Sequence, residues 1–93
     1  MNNKKKGWRN EHKSMARDRA AGALVLRAGG SLGLFDYIAL FPDFVRLVQV
    51  KSNRWPGHDE LKAIGDFQTP PYARKVIERW DDYARAPLVR EVE

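Results

Sequence analysis

The apolar positions of the chain fall into helical, alternating and continuous patterns. Residues 8–21, WRNEHKSMARDRAA, contain no Pro or Gly and many good helix formers, which predicts a helix. Trp8, Met15 and Ala16 mark its apolar stripe, and Glu11 lies on that stripe, three residues after Trp8 and four before Met15. Gly22 ends it. Three strands are predicted next: ALVLRA at 23–28, LFDYIALF at 34–41 and FVRLVQVKS at 44–52. GGSLG makes a glycine-rich turn between the first two, and Pro42 with Asp43 turns the chain between the last two. NRWPG breaks the pattern. HDELKAIGDF, 58–67, predicts a second helix opened by Asp59, with Leu61, Ile64 and Phe67 facing inward and Pro70 and Pro71 as its stop.

Segment 72–84, YARKVIERWDDYA, fits two patterns. Tyr72, Val76, Ile77, Trp80, Tyr83 and Ala84 make a helical stripe, whereas a strand sets Val76, Glu78 and Trp80 on one face and Ile77 on the other. Periodicity alone favours the helix. The final APLVREVE reads as a short strand or an irregular tail.

The third strand is apolar on both faces, the mark of a central, covered strand. Yet Gln49 and Lys51 share the face of Val45 and Leu47 at its end. A hairpin symmetric about Pro42 and Asp43 sets Phe41 opposite Phe44, Leu40 opposite Val45 and Asp36 opposite Gln49. Directly opposed residues point to one side with Cβ atoms roughly 4.5–5.5 Å apart. Lys51 lies one diagonal step further, and a bulge would shift the register by one. Asp36 and Gln49 offer hard oxygen ligands suited to Mg²⁺ or Mn²⁺. Lys51 is placed to orient a water or to stabilise charge on a phosphate. Metal, water and cation are what phosphodiester hydrolysis requires, and Glu11 would complete the ligand set. The same spacing also fits an ordinary ion pair at a strand end.

Composition points the same way. The 93 residues suffice for one small domain, and hydrophobic residues at 43% argue for a folded chain. Lys and Arg total 17 against 12 Asp and Glu, a net charge of +5. That balance favours a polyanionic partner, nucleic acid before a membrane surface. Lys4, Lys5 and Lys6 read as a mobile basic arm over residues 1–6, able to add salt-sensitive phosphate contacts. The chain has no cysteine, which excludes disulfides and thiolate metal sites. His12 and His58 lack zinc-ligand spacing and read as surface residues. No apolar run reaches transmembrane length, so a cytoplasmic protein without a membrane partner is expected. Trp80 reads as a packing residue, while Trp55 fits packing and base stacking equally. Asp81 and Asp82 read as surface charge.

GWRNE, LRAGGSLGLFDYIAL and VRLVQVKS together resemble the archaeal-type Holliday junction resolvases and their phage and bacterial relatives, within the PD-(D/E)xK nuclease superfamily. The likeness covers residues 7–52. It implies an α/β fold, the restriction-endonuclease-like core of helix, three strands, helix and strand around a small mixed sheet, spanning 1–93 as a single nuclease domain. On that order residues 74–80 become the fourth strand. The resemblance implies metal ligands at Glu11 and Asp36, and Gln49 at the position where the motif prefers Glu or Asp. It also implies the motif lysine at Lys51, a serine serving junction cleavage at Ser31, and phosphate contacts at Arg9 and Arg27. Arg54, beside the strand end, joins Lys4, Lys5 and Lys6 in the expected DNA-binding set. The expected activity is Mg²⁺-dependent cleavage of four-way DNA junctions, with Mn²⁺ as substitute. Branched or double-stranded DNA is the expected partner, and junction symmetry favours a homodimer. The alternatives are a nicking or repair nuclease of the same fold and a catalytically silent DNA-binding module.

Overall fold

A computed structural model describes residues 3–28 and 33–93. Ser31 and most of the glycine-rich turn lie outside the described residues. The elements are α1 (Asn3–Ala20), β1 (Leu24–Arg27), β2 (Tyr37–Leu40), β3 (Val45–Ser52), α2 (His58–Asp66), β4 (Ala73–Trp80) and β5 (Leu88–Val92). The five strands lie in one sheet in chain order, with β3 at its centre. Only β3 and β4 pair in parallel, so α2 is the crossover that a parallel pair requires. Residues 74–80 thus belong to a strand, not to the helix that periodicity favours. The reason is burial on both faces: Val76 and Ile77 point to opposite sides and both are covered. A strand without an exposed face has no alternation to display. Among the described residues no helix is long and apolar enough to cross a membrane.

Helix α1 departs from its expected form in two ways. It begins at Asn3, so Lys4, Lys5 and Lys6 are helical rather than a tail. Its buried face is also largely polar. Trp8 is 51% exposed and Ala16 is exposed, while Asn10, Ser14 and Asp18 are buried with Met15. Each polar residue has a partner on the sheet. Asn10 Nδ2 donates to Ser52 Oγ at 2.6 Å, and Trp80 Nε1 donates to Ser14 Oγ at 2.7 Å. Asp18 accepts from Tyr37 Oη at 2.6 Å and pairs with Arg46, whose other amino group reaches Glu78 at 2.6 Å. Burial and the bond to Asp18 push the Tyr37 hydroxyl far above its ordinary range, so it remains a neutral donor. The helix ends as expected at Gly22, whose φ of 102° suits a glycine. The Ala23 N–H donates to Asp18 O and the Gly22 N–H to Arg19 O, the paired bonds of a Schellman motif.

Helix α2 covers the other face. Leu61, Ile64 and Phe67 pack with Phe35, Leu47 and Ile77, as their spacing predicts. Gly57, rather than Asp59, is the N-cap, and it supplies no side-chain hydrogen bond. The C-terminus is held from the sheet. Lys75 Nζ, buried on β4, donates to the carbonyls of Ile64 (2.8 Å), Gly65 (2.8 Å) and Phe67 (3.0 Å). A cation at this end suits the helix dipole and satisfies carbonyls that the helix leaves free. Replacing Lys75 with Met should cost about 2–3 kcal/mol, because those carbonyls lose a charged donor. Urea unfolding followed by tryptophan fluorescence measures it; an unchanged midpoint would show that the contact contributes nothing.

Candidate active site

The β2–β3 hairpin has the predicted register, from Leu40↔Val45 to Tyr37↔Val48, closed by the Phe41 N–H on Phe44 O. The strand is shorter than expected because the ladder stops at Tyr37. At Asp36 the backbone N–H donates to Val48 O at 2.8 Å, an offset of one residue characteristic of a bulge. The Asp36 carbonyl accepts from the Ala28 N–H at 3.0 Å, and its Oδ2 accepts from the Val50 N–H at 2.7 Å. Asp36 is therefore not laddered opposite Gln49, as the symmetric hairpin predicts. Its carboxylate instead closes over β3 at Val50, still beside the end that carries Gln49 and Lys51.

Gln49 is 5% exposed. Its Nε2 donates to Leu34 O at 3.1 Å and to Glu60 Oε2 at 3.0 Å, and its Oε1 is buried with no hydrogen-bond partner. Lys51 Nζ lies 2.8 Å from Glu60 Oε1. Glu60, in the first turn of α2, is thus a site residue that the sequence reading missed. Its only sequence signal is an acid near a helix start, which the helix dipole alone explains.

Glu11 reaches the cluster from α1 and pairs with Arg27 at 3.7 Å. Burial and the Asp36 charge push its carboxyl up, and Arg27 pulls it down. Asp36 is also pushed up, by burial first; Glu60 adds to this, while the Val50 N–H, Lys51 and Arg27 oppose it. Carboxyls held above their ordinary values by burial and by one another favour a nearby cation. By type, the oxygens at this end suit a hard divalent ion: the Asp36 and Glu60 carboxylates, which act on one another, and the orphaned amide oxygen of Gln49, with Glu11 further out on α1. Among the described residues no three His, Cys, Asp or Glu side chains form a ready metal-binding group.

Of the expected DNA-contact residues, Arg27 adjoins Glu11 and Asp36, and the others lie along α1 and just after β3. Arg9 lines a cavity of about 340 Å³ with Lys6, Lys13, Asp82 and Tyr83. Arg27 is more than half exposed, and Arg54 lies by Lys6 and Asn53. Lys4 and Lys5 are exposed on the first turns of α1. Lys6 pairs with Asp82 at 2.9 Å, and Asp81 with Arg79 at 2.7 Å. Asp81 and Asp82 thus hold local ion pairs at the surface. Trp80 is core, while Trp55 packs under α2 with the Arg79 guanidinium 5.5 Å from its ring centre.

The raised Asp36 carboxyl has a consequence for stability. Its folded-state pKa lies above the unfolded value, so ionisation disfavours the fold, and stability falls as pH rises through the carboxylate range. Asp36→Asn keeps an acceptor for the Val50 N–H and removes the charge. We expect a melting temperature at pH 7 higher by roughly 2–5 °C, with the gap closing at pH 3. Thermal unfolding at the two pH values checks this; a variant less stable than wild type at pH 7 would contradict it.

No family model matches the chain, and no curated protein sequence matches it. A solved structure does: Hjc of Archaeoglobus fulgidus, a Holliday junction resolvase from an archaeal hyperthermophile. The TM-score is 0.70 at 20% sequence identity, over 94% of this chain and 71% of that one. Helix, antiparallel strands, crossover helix and parallel strand follow in the order expected from the sequence. The protein has an α/β, restriction-endonuclease-like fold.

Proposed function

We propose that the chain is a single nuclease domain, a divalent-metal-dependent endodeoxyribonuclease that resolves four-way DNA junctions. The observation that carries the reading is the convergence of Asp36, Gln49, Lys51 and Glu60 at the open end of the β2–β3 hairpin. The fold is shared with a junction resolvase, which supports the reading.

Asp36, Glu11 and Gln49 Oε1, with Glu60 beside them, would hold Mg²⁺, or Mn²⁺ in its place. The ion supplies Lewis-acid polarisation of the phosphate and a more acidic water. Lys51, half-buried at the strand end, donates to a non-bridging phosphate oxygen and orients the attacking water. The water oxygen bonds to phosphorus, one bridging P–O bond breaks, and the proton the water gives up ends, by way of solvent, on the departing oxygen. Asp36, fixed by Val50, keeps the negative charge of the site at one point while DNA docks. Arg9, Arg27, Arg54 and the Lys4–Lys6 turn bind backbone phosphates, which reads duplex shape and branch geometry rather than base sequence. Ser31, implied by resemblance to serve junction cleavage, belongs to the same reading. A two-fold homodimer matches paired cuts on a junction, and exposed Leu24 and Leu26 on β1 offer it an apolar surface.

Cleavage of a labelled four-way junction with Mg²⁺ or Mn²⁺ tests the reading. Wild type should make symmetric cuts and prefer the junction over linear duplex. Lys51→Ala should lose about 10²-fold or more of the rate, and Asp36→Asn a comparable amount. Equal cutting by the variants would remove these residues from the site. Tight binding without cleavage in either metal would point to a silent binding module, and indifference to branching to another nuclease.

A further inference from the structure

The strand that joins Gln49 to Lys51 has an amide where a carboxylate is expected. A carboxylate nevertheless meets that amide, and it comes from another element. Glu60 Oε2 accepts from Gln49 Nε2 at 3.0 Å while Oε1 meets Lys51 Nζ at 2.8 Å. An acid in the first turn of a surface helix ordinarily extends into solvent. Glu60 instead lies across β3, only about a third exposed (36%). It reaches both residues of the Gln-x-Lys pair, and its charge acts on Asp36 as well.

A second observation lies at the other end of the same amide. Leu34 O and Glu60 are both acceptors, so the NH₂ of Gln49 must face them, which fixes the amide orientation. Oε1 is then left buried and without a partner, on a side chain only 5% exposed. A buried acceptor of this kind calls for a donor or a cation. The pairing also accounts for the amide itself. A carboxylate at position 49 would face Glu60 at hydrogen-bond distance with no proton between them. The amide turns that repulsion into a bond.

We propose that Glu60 supplies, from α2, the carboxylate that β3 lacks at position 49, and that Gln49 is the positioning residue holding it beside Lys51. The inference rests on the nuclease reading above, and it adds a residue that neither the linear motif nor the resemblance assigns. Charge is thereby kept at the metal-binding end while its covalent origin moves from strand to helix.

The test is Mn²⁺ binding by the full chain without DNA, followed by electron paramagnetic resonance, with single-turnover junction cleavage alongside. Glu60→Gln should weaken Mn²⁺ binding about tenfold or more. Asp59→Asn, one residue away and exposed, should stay within about twofold and controls for general charge. Gln49→Glu alone should tighten Mn²⁺ binding but lower the ion-free melting temperature, because two carboxylates then face each other. The double variant Q49E/E60Q should recover wild-type affinity to within about threefold, and cleavage should follow the same order. A merely structural Lys51–Glu60 ion pair predicts no such recovery. The inference is overturned if E60Q binds Mn²⁺ like wild type. It is equally overturned if the double variant binds as weakly as E60Q while melting like wild type. Wild type that binds no Mn²⁺ would remove the nuclease reading and this inference together; E60Q equal to a binding wild type would remove the inference alone.

Discussion

Three carbonyls converging on Lys75 Nζ determine where α2 lies, and the position of α2 determines much else. The helix has only nine residues and no side-chain cap at its start, so by itself it would be marginal. Its apolar face, centred on Ile64, supplies the driving force for packing, but apolar contact is not directional. The ammonium adds direction, because it ties the last turn to one point on β4. With that end fixed on the sheet, the first turn comes over the end of β3, and Glu60 meets Gln49 and Lys51. A core contact thus sets the geometry of a surface cluster.

The two faces of the sheet are built on different physics. Under α2 the contacts are mainly apolar, with aromatic packing of Phe35 against Phe67 at 5.2 Å between ring centres. Under α1, a small apolar cluster of Met15, Tyr37, Ala39 and Val48 adjoins a buried network of Asp18, Tyr37, Arg46 and Glu78. Removing two or more charges from water costs several kcal/mol for each ion, and only close pairing with further hydrogen bonds offsets that cost. Arg46 meets most of the condition by giving one amino group to each carboxylate, while Tyr37 serves Asp18 and Glu78 Oε1 is left without a hydrogen-bond partner. Such a network contributes less to net stability than apolar packing of equal volume. It does fix how α1 sits, since sliding the helix by one turn would leave buried charges unpaired.

Legibility in the sequence followed the same division. The β2–β3 register was readable because a two-residue turn and apolar strand residues leave one good alignment, and the structure has that alignment up to Tyr37. The bulge at Asp36 was not readable, since it depends on a side chain bonding to Val50 across the strand. The inward face of α1 was misread because Asn10, Ser14 and Asp18 are buried by virtue of partners more than twenty-five residues away on the sheet, or nineteen for Tyr37. Hydropathy contains no record of such partners. Segment 74–80 lost its strand signature through burial on both sides, and the order of elements implied by the resolvase resemblance identified it where periodicity could not. Glu60 was invisible for a simpler reason: eleven residues and a loop separate it from Gln49, and their meeting is set by helix placement.

Arg46 also bears on how the chain reaches this structure. It stands on β3 between Asp18 of α1 and Glu78 of β4, joining three elements that are distant in sequence. The β2–β3 hairpin needs only a short loop and can close early. Docking α1 alone on that hairpin would give Arg46 one carboxylate and leave the place of β4 open to solvent. Pairing β4 alone would bury Glu78 against the same guanidinium without the cover of the helix. Each arrival makes the other more favourable, because each desolvates charges that the other completes. The placement of the N-terminal helix and that of the fourth strand are thus coupled through one guanidinium.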